Sequence, residues 1–465
     1  MKSYFLFRES LFLRVENRIM KNILKLAIVT LIISSCASDN GEWRSKAQNP
    51  DYLHRSIKQI TDVIVYDIFS PPVASRIYAY SSIAAYEVAI HQDSIYRSLA
   101  GQLTGFEAVP QPEEGKEYCY SLASVQAALK VGRTLVFSED KMDVFYSEIM
   151  QEFHDAGVPD EVFERSITYG TQVADHVIAW STKDNYKQSR SFPKYSIQED
   201  PSTWKPTPPA YMDAVEPHWN KIRPFAIDSA QQFKPVPPTP FSIDKKSQFY
   251  KEAVEVLEMG NNLTTEQREI AFFWDCNPFM MNVKGHVMFA TKKISPGGHW
   301  MNITNVACKK AKADFTQSSE AYARVSIALV DAFMSCWDEK YRSKLIRPET
   351  YINQYINEDW VPVLQTPPFP EYTSGHSVIS AASAVTLTEL FGDNFAFTDS
   401  TEVEFGLTAR SFKSFIQASE EAAISRMYGG IHYRPAVEVG MTEGRALGTY
   451  ILHKIRTRKE DAALN

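Results

Sequence analysis

Three short stretches decide how this chain reads: Lys340-Tyr-Arg-Ser-Lys-Leu-Ile-Arg347-Pro348, Pro370-Glu-Tyr-Thr373-Ser374-Gly375-His376-Ser377, and Ser425-Arg426-Met-Tyr-Gly-Gly-Ile-His432-Tyr-Arg434. Lys340 falls at the end of a long helical pattern, and Arg347-Pro348 lies in the loop after it. Arg426 ends another helix, and His432 follows a Gly429-Gly430 turn just before the last one. Ser374 is a good N-cap, and Gly375 lets other groups approach the backbone closely. The free N–H groups and the dipole of a helix that starts there favour an anion. If the loops converge, Lys340, Arg347 and Arg426 supply three fixed cations, two as planar donor forks and one as a point charge. Such a set suits a multiply charged tetrahedral oxyanion. Each stretch alone is a weak signal; their order and combination are specific.

Outward from these blocks the pattern is helical. Apolar residues recur at helical spacing in Ile57, Ile60, Val63, Ile64 and Ile68. Further helices are expected over 74–91, 117–136, 139–155, 160–182, 246–259, 264–274, 316–338, 375–392, 408–427 and 435–455. Strand-like alternation and hairpin turn pairs are scarce, so the fold class is all-α, built of helical bundles. Gly440, Gly444 and Gly448 fall four apart on one face of the last helix, which predicts close helix–helix packing there. The expected organisation is a polar tether at 37–50, an N-terminal helical region at 51–189, and a catalytic helical domain at 245–465. Between the two helical parts, 190–244 is rich in proline, including Pro208-Pro209 and Pro235-Val-Pro-Pro238. It cannot be a regular helix. Its Trp204, Trp219 and Phe225 argue for an extended strap packed on the surface, because disordered tethers are poor in aromatics.

The N-terminus reads as an export signal. Lys21 and Lys25 precede the apolar run Leu26-Ala-Ile-Val-Thr-Leu-Ile-Ile33, followed by Ser34-Ser35-Cys36. The run is short for a membrane span. Residues 1–36 are therefore expected to be a signal peptide with a lipobox-like end, lipidated at Cys36, and Met20 is the better start. That places the protein in a bacterial cell envelope, held to a membrane only by a lipid anchor.

Composition is that of an ordinary soluble protein: 465 residues, 44% hydrophobic, 23% charged, net charge -7. No basic cluster suggests nucleic acid. Besides Cys36, the cysteines Cys119, Cys276, Cys308 and Cys336 are scattered without a C-x-x-C pair, so no cysteine metal site is expected. One disulfide is possible, with no pairing indicated. Outside the three blocks the histidines read as surface or core, His299 in Pro296-Gly-Gly-His-Trp300 being the most open.

The three blocks resemble the superfamily that joins type 2 phosphatidic acid phosphatases, bacterial class A acid phosphatases and vanadium-dependent haloperoxidases. Its pattern is K-x6-R-P, then P-S-G-H, then S-R-x5-H-x3-D. Lys340, Arg347 and Pro348 match the first part, Ser374, Gly375 and His376 the second, and Ser425, Arg426 and His432 the third. Thr373 replaces the family proline and Ala436 the family aspartate.

The resemblance to haloperoxidases implies that Lys340, Arg347 and Arg426 neutralise vanadate oxygens, with Ser374 and Gly375 donating hydrogen bonds to them. It implies His432 as the ligand of vanadium, His376 as the acid–base group for peroxide, and Phe369 beside the halide. The cofactor implied is vanadate, whose site phosphate can also occupy. The implied partners are hydrogen peroxide and a halide or small organic substrate, with the oligomeric state open. Class A phosphatases are about half this length and the lipid phosphatases are membrane proteins, so haloperoxidase chemistry leads. The alternatives are a soluble phosphomonoesterase working through a phosphohistidine and a non-catalytic surface lipoprotein. Ala436 cannot orient His432 as an acidic partner would; Glu438 or a main-chain carbonyl is the expected substitute.

Overall fold

The structure, a computed structural model, describes residues 41–459. The signal sequence, Met20 and Cys36 lie outside the described residues. The chain divides at Lys46, and residues from Ala47 onward form one compact unit, so the proline-rich segment does not separate two bodies.

That unit is mostly helical, with two small antiparallel hairpins: Met281–Lys284 with Val287–Ala290, and Phe397–Asp399 with Arg410–Phe412. Its axis is the helix Phe315–Ser343, which is buried almost throughout. A capping box, Asp314 with Gln317, starts it. On one side it packs against Pro71–Ala89, a helix with every residue buried, which in turn packs on Tyr120–Leu135. On the other side it packs against Gly375–Phe391, which lies between Phe415–Tyr428 and Arg434–Lys454. A helix hydrophobic all round is the kind that sits inside a bundle.

The strap 190–247 has no α-helix and runs over this core. Trp204, Trp219 and Phe225 are fully buried. Buried Asp331, inside the axial helix, accepts the main-chain N–H groups of Phe225, Ala226 and Ile227 at 2.8, 2.6 and 2.9 Å. A segment that cannot pair its own backbone finds its acceptor in a helix side chain. The N–H of Trp204 reaches the carbonyl of Lys344 at 2.7 Å, and that of Ile346 reaches Ser202 at 2.9 Å. The strap thus pins the loop that carries Arg347.

Besides the short helices Glu42–Ala47, which falls in the expected tether, and Tyr186–Ser189, two helices were not expected from the sequence, Pro296–Ala311 and Pro348–Tyr355. The first opens Pro-Gly-Gly, which reads as a breaker, yet Ser295 caps it by accepting the N–H of Gly298 at 3.1 Å. The helix expected from 408 starts only at Phe415, because 410–412 are taken by a hairpin. The glycine stripe packs closely as expected: a Cβ on Gly444 would stand 2.1 Å from the carbonyl of Val378. All four described cysteines are free and buried, so no disulfide forms among them.

Candidate active site

The three blocks meet at the N-terminal end of the helix Gly375–Phe391. Ser374 caps the helix Gly375–Phe391, its oxygen accepting the N–H of Ser377 at 3.3 Å, and its own N–H bonds the carbonyl of Ala436 at 3.0 Å. This last bond ties the second block directly to the third. A cavity is lined by Gly375, His376, Arg426 and His432, with Phe369 and Trp337 on its apolar side.

Arg347 is fully buried. Its Nε donates to the carbonyl of Phe369 at 2.9 Å and its Nη1 to that of Ile431 at 2.8 Å, while Nη2 has no partner. Arg426 gives Nη1 to the carbonyl of Trp274 at 2.6 Å, and its Nε is likewise unpaired. Nε2 of His376 is buried and unpaired as well. Leaving a buried donor unmade costs roughly 1–3 kcal/mol, and more when it is charged. An open donor on Arg426 in the cavity wall, another on Arg347 beside His432, and the open His376 nitrogen are the complement of a multiply charged oxyanion, so the residues present fit vanadate or phosphate.

Lys340 departs from its expected role. Its ammonium is spent on three main-chain carbonyls, those of Pro370, Glu371 and Thr373, at 3.1, 3.0 and 2.5 Å. It braces the loop that carries the second block and acts on an anion through its charge alone. Burial lowers its pKa to about 8.

The missing acidic partner of His432 is present, and it comes from another element. Oε1 of Glu371, fully buried, accepts the Nδ1–H of His432 at 2.8 Å and the N–H of Tyr433 at 2.9 Å. Nη1 of Arg347 stands 3.2 Å from Nε2 of the same ring. With a carboxylate on one nitrogen and a guanidinium donor on the other, the ring holds its proton on Nδ1 and its lone pair on Nε2. Burial, and then the Arg347 charge, keep His432 neutral by lowering its pKa well below the usual value. His376 is held neutral in the same way, by burial and then by Arg426. Burial raises the Glu371 pKa to about 7, with Arg347 and Lys340 opposing the rise.

Neither expected substitute fills this place. The Glu438 side chain is 63% exposed and pairs with Arg434 at 3.5 Å. Ala436 is buried in an apolar cluster with Tyr351, Tyr372 and Tyr433. Glu371 sits inside the quoted stretch Pro370-Glu-Tyr-Thr373, three residues from Ser374, but nothing in its spacing assigned it to a histidine sixty-one positions away. Thr373, where the family has proline, donates its hydroxyl to Glu443 on the last helix at 2.8 Å. The Phe369 ring lies 5.1 Å from the Arg347 guanidinium, 5.2 Å from the Lys340 ammonium and 4.9 Å from the Trp337 ring.

A helical bundle with an oxyanion cradle at the start of a buried helix defines a class of anion-binding enzymes. The relatives make it specific. The chain is 52% identical to a bacterial vanadium-dependent iodoperoxidase of solved structure, at a TM-score of 0.84, covering 88% of this chain and 98% of that one. It belongs to the vanadium-dependent haloperoxidase family, whose members are enzymes. The family description of the VCPO second helical-bundle domain matches residues 354–460. Bacterial vanadium-dependent chloroperoxidases share the fold at lower identity: the holo form at 15% with a TM-score of 0.64, covering 83% of this chain and 93% of that one, and the apo form at 16% with 0.63, covering 83% and 94%. No curated protein sequence matches.

Proposed function

We propose that this enzyme oxidises halide, iodide above all, with hydrogen peroxide at a vanadate held by Arg347, Arg426, Ser374, Gly375 and His432. The carrying observation is the open pair of buried guanidinium donors, Arg347 Nη2 and Arg426 Nε, beside the His432 Nε2 lone pair. Iodide is favoured by the relative that shares half of the sequence. Vanadate supplies an electrophilic centre that activates peroxide. His432 offers Nε2 as its ligand, and Glu371 fixes the tautomer that makes this possible. The two arginines offset the anion's charge in a water-poor site, where such preorganised charge is strongest. Neutral His376 takes up a peroxide proton at Nε2 and returns it. Phe369 and Trp337 keep water from that side and offer polarisable faces to a halide. A second cavity of about 380 Å³ shares Phe279 with the first and gives an organic acceptor room to approach.

The deciding assay compares purified protein with and without orthovanadate in three reactions: peroxide-dependent iodide oxidation, bromination, and phosphate-ester hydrolysis. Vanadate-dependent iodide oxidation is expected. Ester hydrolysis without any peroxide reaction would overturn the proposal in favour of a phosphatase.

A further inference from the structure

Beside the oxyanion cavity, with Cys276 in its wall, lies a second polar cluster that the proposed chemistry does not use. Cys276 follows the helix Thr265–Phe273, His299 stands in the first turn of Pro296–Ala311, and Glu402 lies just past the strand Phe397–Asp399. Their exposures are 2%, 0% and 5%. Sγ of Cys276 is 3.3 Å from Nδ1 of His299 and 3.8 Å from Oε1 of Glu402. Nδ1 of His299 is 3.2 Å from the same carboxylate oxygen. Sulfur, nitrogen and oxygen therefore form a compact triangle with sides of 3.2 to 3.8 Å.

The other face of His299 explains why its Nδ1 is offered there. Its Nε2 is 2.7 Å from Oδ2 of Asp399. Asp399 in turn accepts the N–H and hydroxyl of Thr401 at 2.9 and 2.7 Å. Asp399 holds the ring from Nε2 and so turns Nδ1 toward the thiol and Glu402. A histidine oriented by a carboxylate behind it is the usual arrangement of a metal ligand.

We infer that Cys276, His299 and Glu402 form a three-ligand site for one zinc-like divalent cation, with Asp399 orienting His299 and the fourth position left to water. A tetrahedral ion with bonds of about 2.3 Å to sulfur and about 2.0 Å to nitrogen and oxygen spaces its ligand atoms about 3.3–3.6 Å apart. The separations in the triangle, 3.3, 3.8 and 3.2 Å, reach that geometry with shifts of a few tenths of an ångström. Mixed sulfur, imidazole and carboxylate donors favour zinc over calcium or magnesium, which take oxygen. The scattered cysteines concealed this site in the sequence, because its ligands come from three separate elements.

The ion would also steady the oxyanion cradle. Trp274, whose carbonyl holds Arg426, stacks on His299 with ring centroids 4.6 Å apart. Asp275, the next residue, faces Arg426 at 4.0 Å and pairs with Lys293 at 2.5 Å. Clamping Cys276 fixes this segment from its far end. The site itself is independent of the reaction proposed above.

Cobalt(II) is the probe. The full chain, freed of metal with a chelator, is titrated with Co²⁺ and its absorption spectrum recorded. One equivalent should bind, with a near-ultraviolet thiolate-to-cobalt charge-transfer band and the intense visible bands of a tetrahedral ion, and Zn²⁺ should displace it. Cys276→Ser should abolish the thiolate band, and Cys119→Ser should keep it. Asp399→Asn should weaken binding roughly 10–100-fold, as loss of an orienting partner does. Failure of the wild-type chain to take up one equivalent, or uptake without a thiolate band, overturns the inference whatever the variants do. So does an unchanged thiolate band in Cys276→Ser.

Discussion

Glu371→Gln is the sharpest probe of how His432 is held. Glutamine keeps an oxygen that can accept both the Nδ1–H of His432 and the N–H of Tyr433, so the ring stays in place and only the negative charge goes. The hydrogen bond of 2.8 Å plus the width of the ring sets the carboxylate about 5 Å from Nε2, where a unit charge at an effective dielectric of about 20 contributes on the order of 3 kcal/mol. Removing an orienting partner of a metal-ligating histidine weakens metal binding or activity roughly 10–100-fold, or about 1.4–2.7 kcal/mol, so the two estimates agree. Vanadate affinity, read from the melting shift against vanadate concentration, should fall by that factor, and vanadate-dependent iodide oxidation with it. Stability should not fall at neutral or higher pH. Burial raises the Glu371 pKa from 4.5 to about 7, so the ionised carboxylate is a cost that glutamine removes. Glu438→Gln, at an exposed site, should leave vanadate binding unchanged. If Glu371→Gln binds vanadate like the wild type, Glu371 does not tune His432.

Further tests address the cradle, the acid–base pair, the pH response and the anchor. Arg347→Ala and Arg426→Ala should each strongly reduce the vanadate-induced melting shift, since a ligand stabilises only as far as it binds the folded state; an unchanged shift in both rules out the site. His432→Ala should weaken vanadate binding, whereas His376→Ala should retain it and lose turnover by about 10²–10⁴-fold. Wild-type iodide oxidation in both variants places the chemistry elsewhere. Burial raises the Glu443 pKa from 4.5 to about 7, so its share of stability is fully present below pH 4.5 and is lost as pH rises through about 7. Glu443→Gln should gain on the wild type by on the order of 3 kcal/mol between about pH 4.5 and pH 8, and a pH-independent difference in unfolding free energy refutes this. We also propose lipid attachment at Cys36; Cys36→Ala should release the protein from the membrane fraction, and retention there points to another anchor.

The sequence by itself determined the helical class, because periodicity and capping are local. Thr264 and Gln267 form a capping box at the start of the helix expected over 264–274, and Ser374 caps its helix as its type requires. It also marked the candidate oxyanion residues, because the three blocks each carry their donors within a few positions and sit at helix ends, where the chain must turn inward. What it could not determine was every relation between elements. Glu371 was visible as a residue but not as the partner of His432, since their pairing depends on how the loop before Gly375–Phe391 folds over the start of Arg434–Lys454. Lys340 was visible as a cation, yet only the folded loop around it decides that carbonyls, rather than the anion, take its hydrogen bonds. Cys276, His299 and Glu402 share no spacing at all. Packing three separate elements into one buried region brings them together, and burial there makes their charges interdependent.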